Sequence, residues 1–303
     1  MTVLGTTIGS VRLPNPIMTA SGTAGHGAAF QAFFDLAHLG AHVVKSLAAF
    51  EWEGNPAPRV HAAGTGMINA VGLQGPGVIA WLVDDLPALL ETGSRIVVSI
   101  WGRTVDEYER AAELLADAPP EVVAVEVNLS CPNLEGRRGV FAHDPELSAA
   151  VIRATAACGR PRWAKLSANT DRIVDVAAAV RDAGAEAVTL VNTLLGLVID
   201  AGSRKPVLGV GGGGYSGPPI HPIAVRAAFD VHAAIPDLAI VGVGGVASGW
   251  DAVELILAGA SAVQVGTANF VDPRASIRVL AGVTEWCVRH GVTSIADLVG
   301  AAH

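Results

Sequence analysis

Eight short β-rich runs, each followed directly or after a loop by a stretch of helical periodicity, constrain the fold of this chain more than any other feature. The runs lie at 17–21, 42–47, 95–101, 122–129, 162–167, 187–192, 238–242 and 262–267. The helical stretches lie at 28–39, 77–90, 105–116, 145–157, 172–183, 222–234, 248–258 and 273–290. Strands that are apolar on both faces and alternate with helices imply a parallel sheet covered by helices. Eight such units in 303 residues fit a closed (β/α)8 TIM barrel of the α/β class better than an open doubly wound sheet. No Ser/Pro-rich linker, charge block or low-complexity run divides the chain, so a single domain over 1–303 is expected.

Composition removes several function classes. A net charge of −8 and a pI of about 5.5 argue against nucleic acid, which needs a basic face. The three cysteines, Cys131, Cys158 and Cys287, are far apart and form no CxxC pair. That excludes an iron–sulfur or zinc site built by this chain alone and fits a reducing cytoplasm. The N-terminal stretch MTVLGTTIGSVRL lacks the charged region and apolar core of a signal peptide. Apolar stretches stay short of a membrane span, so a cytoplasmic protein with no membrane partner is expected.

A barrel places its active site at the C-terminal ends of the strands. The polar residues of the strand runs collect there: Ser21, Lys45, Ser99, Asn128, Lys165 and Asn192. Two lysines ending apolar strands are costly to bury unpartnered, which calls for an anionic ligand or, for each singly, a salt bridge at the barrel mouth. The hexapeptide NLSCPN at 128–133 sets two carboxamides around one thiol, beside a proline that stiffens the turn. Such a thiol is either a small core residue or an acid/base group. Long excursions at 51–77 and 193–221 are candidate ligand walls, although the GGGG run at 211–214 is equally compatible with a hinge. The segments VGVGGV at 241–246 and VGTA at 265–268 end strands seven and eight, the common phosphate position of this fold. The glycines do not distinguish a phosphosugar from a flavin mononucleotide.

With these residues assembled, the chain resembles the dihydroorotate dehydrogenases, nearly end to end. The matching segments are NPIMTASGT (15–23), VVKSL (43–47), GNPAPR (54–59), GMINAVGLQGPG (66–77), VEVNLSCPN (125–133), AKLSAN (164–169), VNTLLG (191–196), GYSGPP (214–219), VGVGGV (241–246) and GASAVQVGTANF (259–270). GLQ-x-PG and NTLLG look like type 1B, whose catalytic subunit works with an iron–sulfur flavoprotein. The resemblance implies oxidation of (S)-dihydroorotate to orotate in pyrimidine biosynthesis, with FMN as cofactor. It also implies a partner subunit carrying FAD and a 2Fe–2S cluster, around a homodimer core of a heterotetramer.

Carried over residue by residue, the resemblance implies that FMN is held by Ala20, Ser21, Lys45, Ser46, Ser99, Asn128, Lys165, Val191, Gly217, Gly244, Gly245, Gly266 and Thr267. The substrate would be gripped by Lys45, by Asn69, Ala70, Val71, Gly72 and Leu73, and by Asn128, Asn133, Asn192 and Thr193. Cys131 falls on the catalytic base. A thiol titrates nearer neutrality than a hydroxyl, so it can take a proton without a dedicated histidine. Ser99 stands where the type 1B pattern usually has asparagine, AKLSAN has alanine where proline is usual, and Trp101 and Tyr215 replace smaller or aliphatic residues. These departures leave a related dihydropyrimidine dehydrogenase and a fumarate-linked type 1A enzyme as alternatives. A flavin-free phosphosugar aldolase or isomerase, acting through Lys45 or Lys165, is the alternative from another class. A non-enzymatic scaffold and a tRNA-directed dihydrouridine synthase fit less well, the first because Cys131 keeps its asparagines, the second for want of a basic face.

Overall fold

The computed structural model describes residues 2–130, 132–133 and 139–303. Every one of the eight runs contains a strand: β1 Ile17–Thr19, β2 His42–Val43, β3 Ile96–Ile100, β4 Val122–Asn128, β5 Arg162–Lys165, β6 Ala187–Leu190, β7 Ala239–Val243 and β8 Ala262–Val265. They pair in parallel in the order β1-β8-β7-β6-β5-β4-β3-β2, as a (β/α)8 barrel requires. Between β1 and β2 the ladder thins to one bridge, Met18 with Ala41. The side chain of Thr19 closes this seam, its Oγ1 accepting from Val43 N at 2.8 Å.

Alternation along each strand builds two cores. Outward residues such as Val125, Val127, Ala164, Val188, Ile240 and Val263 pack under the helices. Inward residues Met18, Val43, Val97, Ala124, Trp163 and Val241 form a separate cluster at the barrel floor, joined by Ile8, Val11 and Leu13. Those three come from an antiparallel hairpin, Thr6–Ile8 with Val11–Leu13, ahead of the first strand. One step of two residues further up β4, Ala124 gives way to Glu126 and then to Asn128. The barrel interior therefore runs from apolar floor to polar layer to mouth.

Six of the helical stretches form regular helices close to their expected bounds: Val105–Glu113, Pro145–Ala154, Ile173–Asp182, His221–Ala234, Gly249–Leu257 and Ala275–Arg289. The stretch at 28–39 is not a helix but two 3₁₀ turns, Ala29–Ala32 and Leu36–His38. Asp35 breaks them apart by turning extended (ψ 112°) so that its carboxylate caps Ala37 N. At 77–90 the helix widens into π turns over Trp81–Asp85. Pro87 follows, and a residue with no N–H cannot donate to the carbonyl four residues back.

The two excursions meet in one four-stranded antiparallel sheet, ordered Leu194–Gly196, Gly213–Ser216, Gly66–Asn69, Val60–Ala63. The glycine run is part of this wall rather than a hinge. A Cβ on Gly213 would strike the Asn69 carbonyl, and one on Gly214 the Thr193 hydroxyl. Among the described residues no helix is long and apolar enough to cross a membrane.

The seam yields a direct test. Thr19→Val keeps the shape and strands the buried Val43 N–H, which should cost about 1–3 kcal/mol. Chemical denaturation should show that loss for Thr19→Val and a smaller one for Thr19→Ser, which keeps the acceptor.

Candidate active site

A cavity of about 510 Å³ opens at the C-terminal ends of the strands, roofed by the excursion sheet. That volume is in the range of sites that enclose a small ligand or cofactor. Asn128, at the end of β4, is the hub of its polar wall. Its Nδ2 donates to Ser46 Oγ at 3.3 Å, while its Oδ1 accepts from Asn192 Nδ2 and from Ser130 N, both at 3.2 Å. Tyr108 donates to the Asn128 carbonyl at 2.6 Å from behind. Because these partners differ in sign, they fix which way the Asn128 amide faces. Ser46 continues the chain to Ser21 at 3.2 Å and to Ser99 at 2.8 Å.

Three cations among the described residues line the cavity: Arg278 pairs with Asp272 at 2.9 Å, and the two lysines stand in opposite circumstances. Lys165 stands over a fully buried carboxylate: its Nζ donates to Glu126 Oε1 at 3.3 Å and to Gln264 Oε1 at 3.4 Å. Glu126 also accepts from Thr189 Oγ1 at 3.1 Å and Gln264 Nε2 at 2.6 Å. Lys45 has no carboxylate partner among the described residues and donates to the Gln74 carbonyl. Burial, and then the nearby charge of Arg59, lower its pKa to about 8. Burial and Lys45 together lower that of His26, behind it, to about 4. This corner favours an anion, since an anion offsets both effects.

The opposite rim is backbone. Gly244 and Gly245 take φ of +138° and +70°, which few other residues adopt without strain. Among the described residues the N–H groups of Gly245 and Val246 donate to nothing. Gly217 (φ +94°) and Thr267 complete this rim, with Thr267 Oγ1 donating to Ser216 Oγ at 2.8 Å. Left-handed backbone recurs on the first excursion, where Leu73 has φ +61° beside the cavity. For a leucine that conformation costs about 1–2 kcal/mol, a strain typical of functional loops.

The comparisons with known proteins agree with one another. The family model described as dihydroorotate dehydrogenase matches residues 3–286. The chain belongs to the dihydroorotate dehydrogenase family. Among its relatives, a protein of Desulforudis audaxviator is 46% identical over 98% of this chain and 96% of its own length. One of Geobacter metallireducens is 43% identical over 98% and 97%, and one of Alkaliphilus oremlandii 43% over 98% and 98%. All three are named dihydroorotate dehydrogenase B (NAD(+)), catalytic subunit. The family read from the motifs, and its B type, are thus borne out.

Most of the residues matched to the dihydroorotate dehydrogenase pattern come together around this one cavity. From the strands and their loops these are Ala20, Ser21, Lys45, Ser46, Asn128, Lys165, Val191, Asn192, Thr193, Gly244, Gly245, Gly266 and Thr267, and from the excursions Asn69, Val71, Gly72, Leu73 and Gly217. Two do not reach it. Ser99 is fully buried beneath Ser46, and Ala70 spends its backbone on Arg59 and Asn55. Cys131 lies outside the described residues, as does the side chain of Asn133. The unusual Trp101 and Tyr215 also stay out of the cavity. Trp101 packs edge-on against Phe50 and Trp52, at 5.9 and 6.3 Å, and Trp52 Nε1 donates to the Gly72 carbonyl at 3.0 Å. Tyr215 donates to the Ala63 carbonyl at 3.1 Å and lines a second, apolar hollow in the excursion sheet.

Sequence reasoning missed Glu126, whose signal was a lone charge within an otherwise apolar strand. It also missed Asn169, which closes AKLSAN and ties the sixth loop by donating to the Thr193 carbonyl at 3.0 Å and accepting from Leu195 N at 2.8 Å. Glu126→Gln leaves Lys165 as a buried cation without its counter-charge and should cost about 3–5 kcal/mol. Pairing it with Lys165→Met should recover much of that loss. Denaturant titration of both variants checks the coupling, and additive costs would contradict it.

Proposed function

We propose that this chain oxidises (S)-dihydroorotate to orotate in pyrimidine (UMP) biosynthesis, as the catalytic subunit of an NAD-linked enzyme. The observation that carries this reading is one cavity that joins a partly buried Lys45, without a carboxylate partner among the described residues, to Asn69, Asn128, Asn192 and Thr193. A flat ring with amide N–H and C=O edges and one carboxylate matches that set of groups. A dihydropyrimidine without the carboxylate would leave Lys45 unanswered. The pairing of Lys165 with Glu126 also removes one of the free amines that an aldolase reading needs.

The residues present fit FMN. Free N–H groups at Gly245 and Val246 suit a phosphate, and the glycine rim admits it closely. Ala20, Ser21, Lys45, Ser46, Asn128, Lys165, Val191, Gly217, Gly244, Gly245, Gly266 and Thr267 would hold the cofactor. Bound there, it would supply a two-electron acceptor for hydride. Asn69, Asn128, Asn192 and Thr193 orient the substrate ring, and Lys45 answers its carboxylate. Cys131 takes the proton from the carbon next to the ring carbonyl. The residue before it, Ser130, lines the cavity and is held by Asn128.

Electrons must then leave for NAD. Among the described residues no group of three or more His, Cys, Asp or Glu is placed to hold a metal ion, and Cys158 and Cys287 are buried free thiols. A second subunit carrying FAD and a 2Fe–2S cluster, on a homodimer of this chain in the cytoplasm, meets that need.

Anaerobic mixing with dihydroorotate tests the reading. The FMN-loaded chain should bleach rapidly, and Cys131→Ala should bleach at least about 100-fold more slowly. NAD reduction should appear only when the second subunit is added. Equal bleaching by Cys131→Ala would remove the thiol from the chemistry. A second expectation concerns pH. The free chain loses the Lys45 proton as pH rises through about 8, while the orotate carboxylate stays ionised. Orotate affinity should therefore be full below that point and fall above it, by at most about tenfold per pH unit. Titrations followed by flavin absorbance should show this fall in the wild type and a flat profile in Lys45→Met.

A further inference from the structure

Beneath the glycine rim lies a histidine that the proposed reaction does not use. His221 opens the helix His221–Ala234 and is 8% exposed. Its Nδ1 is 2.8 Å from the Gly244 carbonyl oxygen, and its Nε2 is 3.1 Å from Glu254 Oε2. Both neighbours are acceptors. A ring with one proton can donate to only one of them, so the two bonds exist together only when both nitrogens carry hydrogen. The rim rests on this residue: a Cβ on Gly245 would stand 2.6 Å from His221 Cβ, and one on Gly244 2.7 Å from Ala224 Cβ.

The same stretch shows which donors remain for a ligand. Ala247 N and Ser248 N are consumed by Asp251, which caps the helix Gly249–Leu257. Gly245 N and Val246 N have no acceptor among the described residues, and both residues line the cavity. Tying down the Gly244 carbonyl directs the acceptor end of that peptide toward His221 instead of toward an incoming anion. We propose that His221, oriented by Glu254, is a positioning residue that makes this rim selective for a phosphate monoester over the same ligand without phosphate. The proposal rests on the FMN reading, because FMN and riboflavin are that pair of ligands.

Other charges around the ring are few. From the helix Gly249–Leu257 they are Glu254 and Asp251, and from its own helix Arg226, which is paired with Asp230. The residues 241–246 carry no titratable side chain. Lys45, Lys165 and Arg278 also line the cavity, and because their charge favours FMN over uncharged riboflavin in every variant alike, comparing variants at one pH cancels it.

The test is binding of FMN and of riboflavin to the full apo chain, read by quenching of flavin fluorescence at about pH 7.5, where the ligand phosphate is largely a dianion. His221→Ala should lower the preference for FMN roughly tenfold or more, leaving riboflavin affinity unchanged. His221→Asn, whose amide can still donate to the Gly244 carbonyl, should keep part of the preference. In Glu254→Gln the amide can donate to Nε2 and leave Nδ1 as the donor to the Gly244 carbonyl, so the preference should be kept. A wild-type preference retained in both His221 variants would overturn the proposal while leaving the FMN reading intact. A wild type that binds riboflavin as tightly as FMN would instead bring down the phosphate reading, and the proposal with it.

Discussion

The interior of this barrel is organised around a single buried charge. Glu126 has no exposure to water, and a carboxylate there survives only because an ammonium, an amide and a hydroxyl from three other strands converge on it. The arrangement restricts the sheet as well as the site. A slip of one residue in β4, β5, β6 or β8 would turn a member of the cluster out into the apolar layer beneath the helices. Replacing such a pair by hydrocarbon often costs little in stability. What it secures here is position, since Lys165 is presented to the cavity from a support it cannot leave.

Strand β4 shows how one periodicity serves floor, support and site together. Ala124 joins the apolar floor, Glu126 the polar layer, Asn128 the cavity wall, and Ser130 the rim just past the strand. Each step is two residues, so the chain needs no special device to deliver chemistry to the mouth. Asn128 then passes order sideways through Ser46 to Ser21 and through Asn192 toward the sixth loop. The sense of donation is fixed at Asn128, whose Oδ1 must accept from Ser130 N, while the serine hydroxyls can turn to suit their neighbours.

The strands were legible because they are apolar on both faces, and the polar residues at or near the ends of six of them foretold much of the cavity. What escaped the linear reading lies in pairings across long sequence distances. Lys165 read either as a cation awaiting an anionic ligand or as half of a salt bridge, and its partner Glu126 went unseen because it sits 39 residues away inside a hydrophobic run. The excursions read as two separate walls, because Asn69 and Gly214 pair across 145 residues and only the missing Cβ atoms permit it. Phenylalanines at 30, 33 and 34 imitate a helical face, but Asp35 spends its side chain on a turn. Trp101, one of the departures from the family pattern, packs on Trp52, which in turn bonds the loop at Gly72.

The hairpin at the floor carries a consequence for how the chain is made. Its apolar residues seal the barrel from below, and Thr6 donates to the carbonyl of Ser261, 255 residues later. The first strand has one of its neighbours in β8, at the other end of the sequence. A ribosome delivers the plug first and its socket last. The opening residues must therefore wait, unsheltered, while almost the whole barrel is synthesised. Order at the floor is in this sense a record of completed synthesis, because a chain truncated before β8 would have neither the strand nor the carbonyl that hold its own beginning in place.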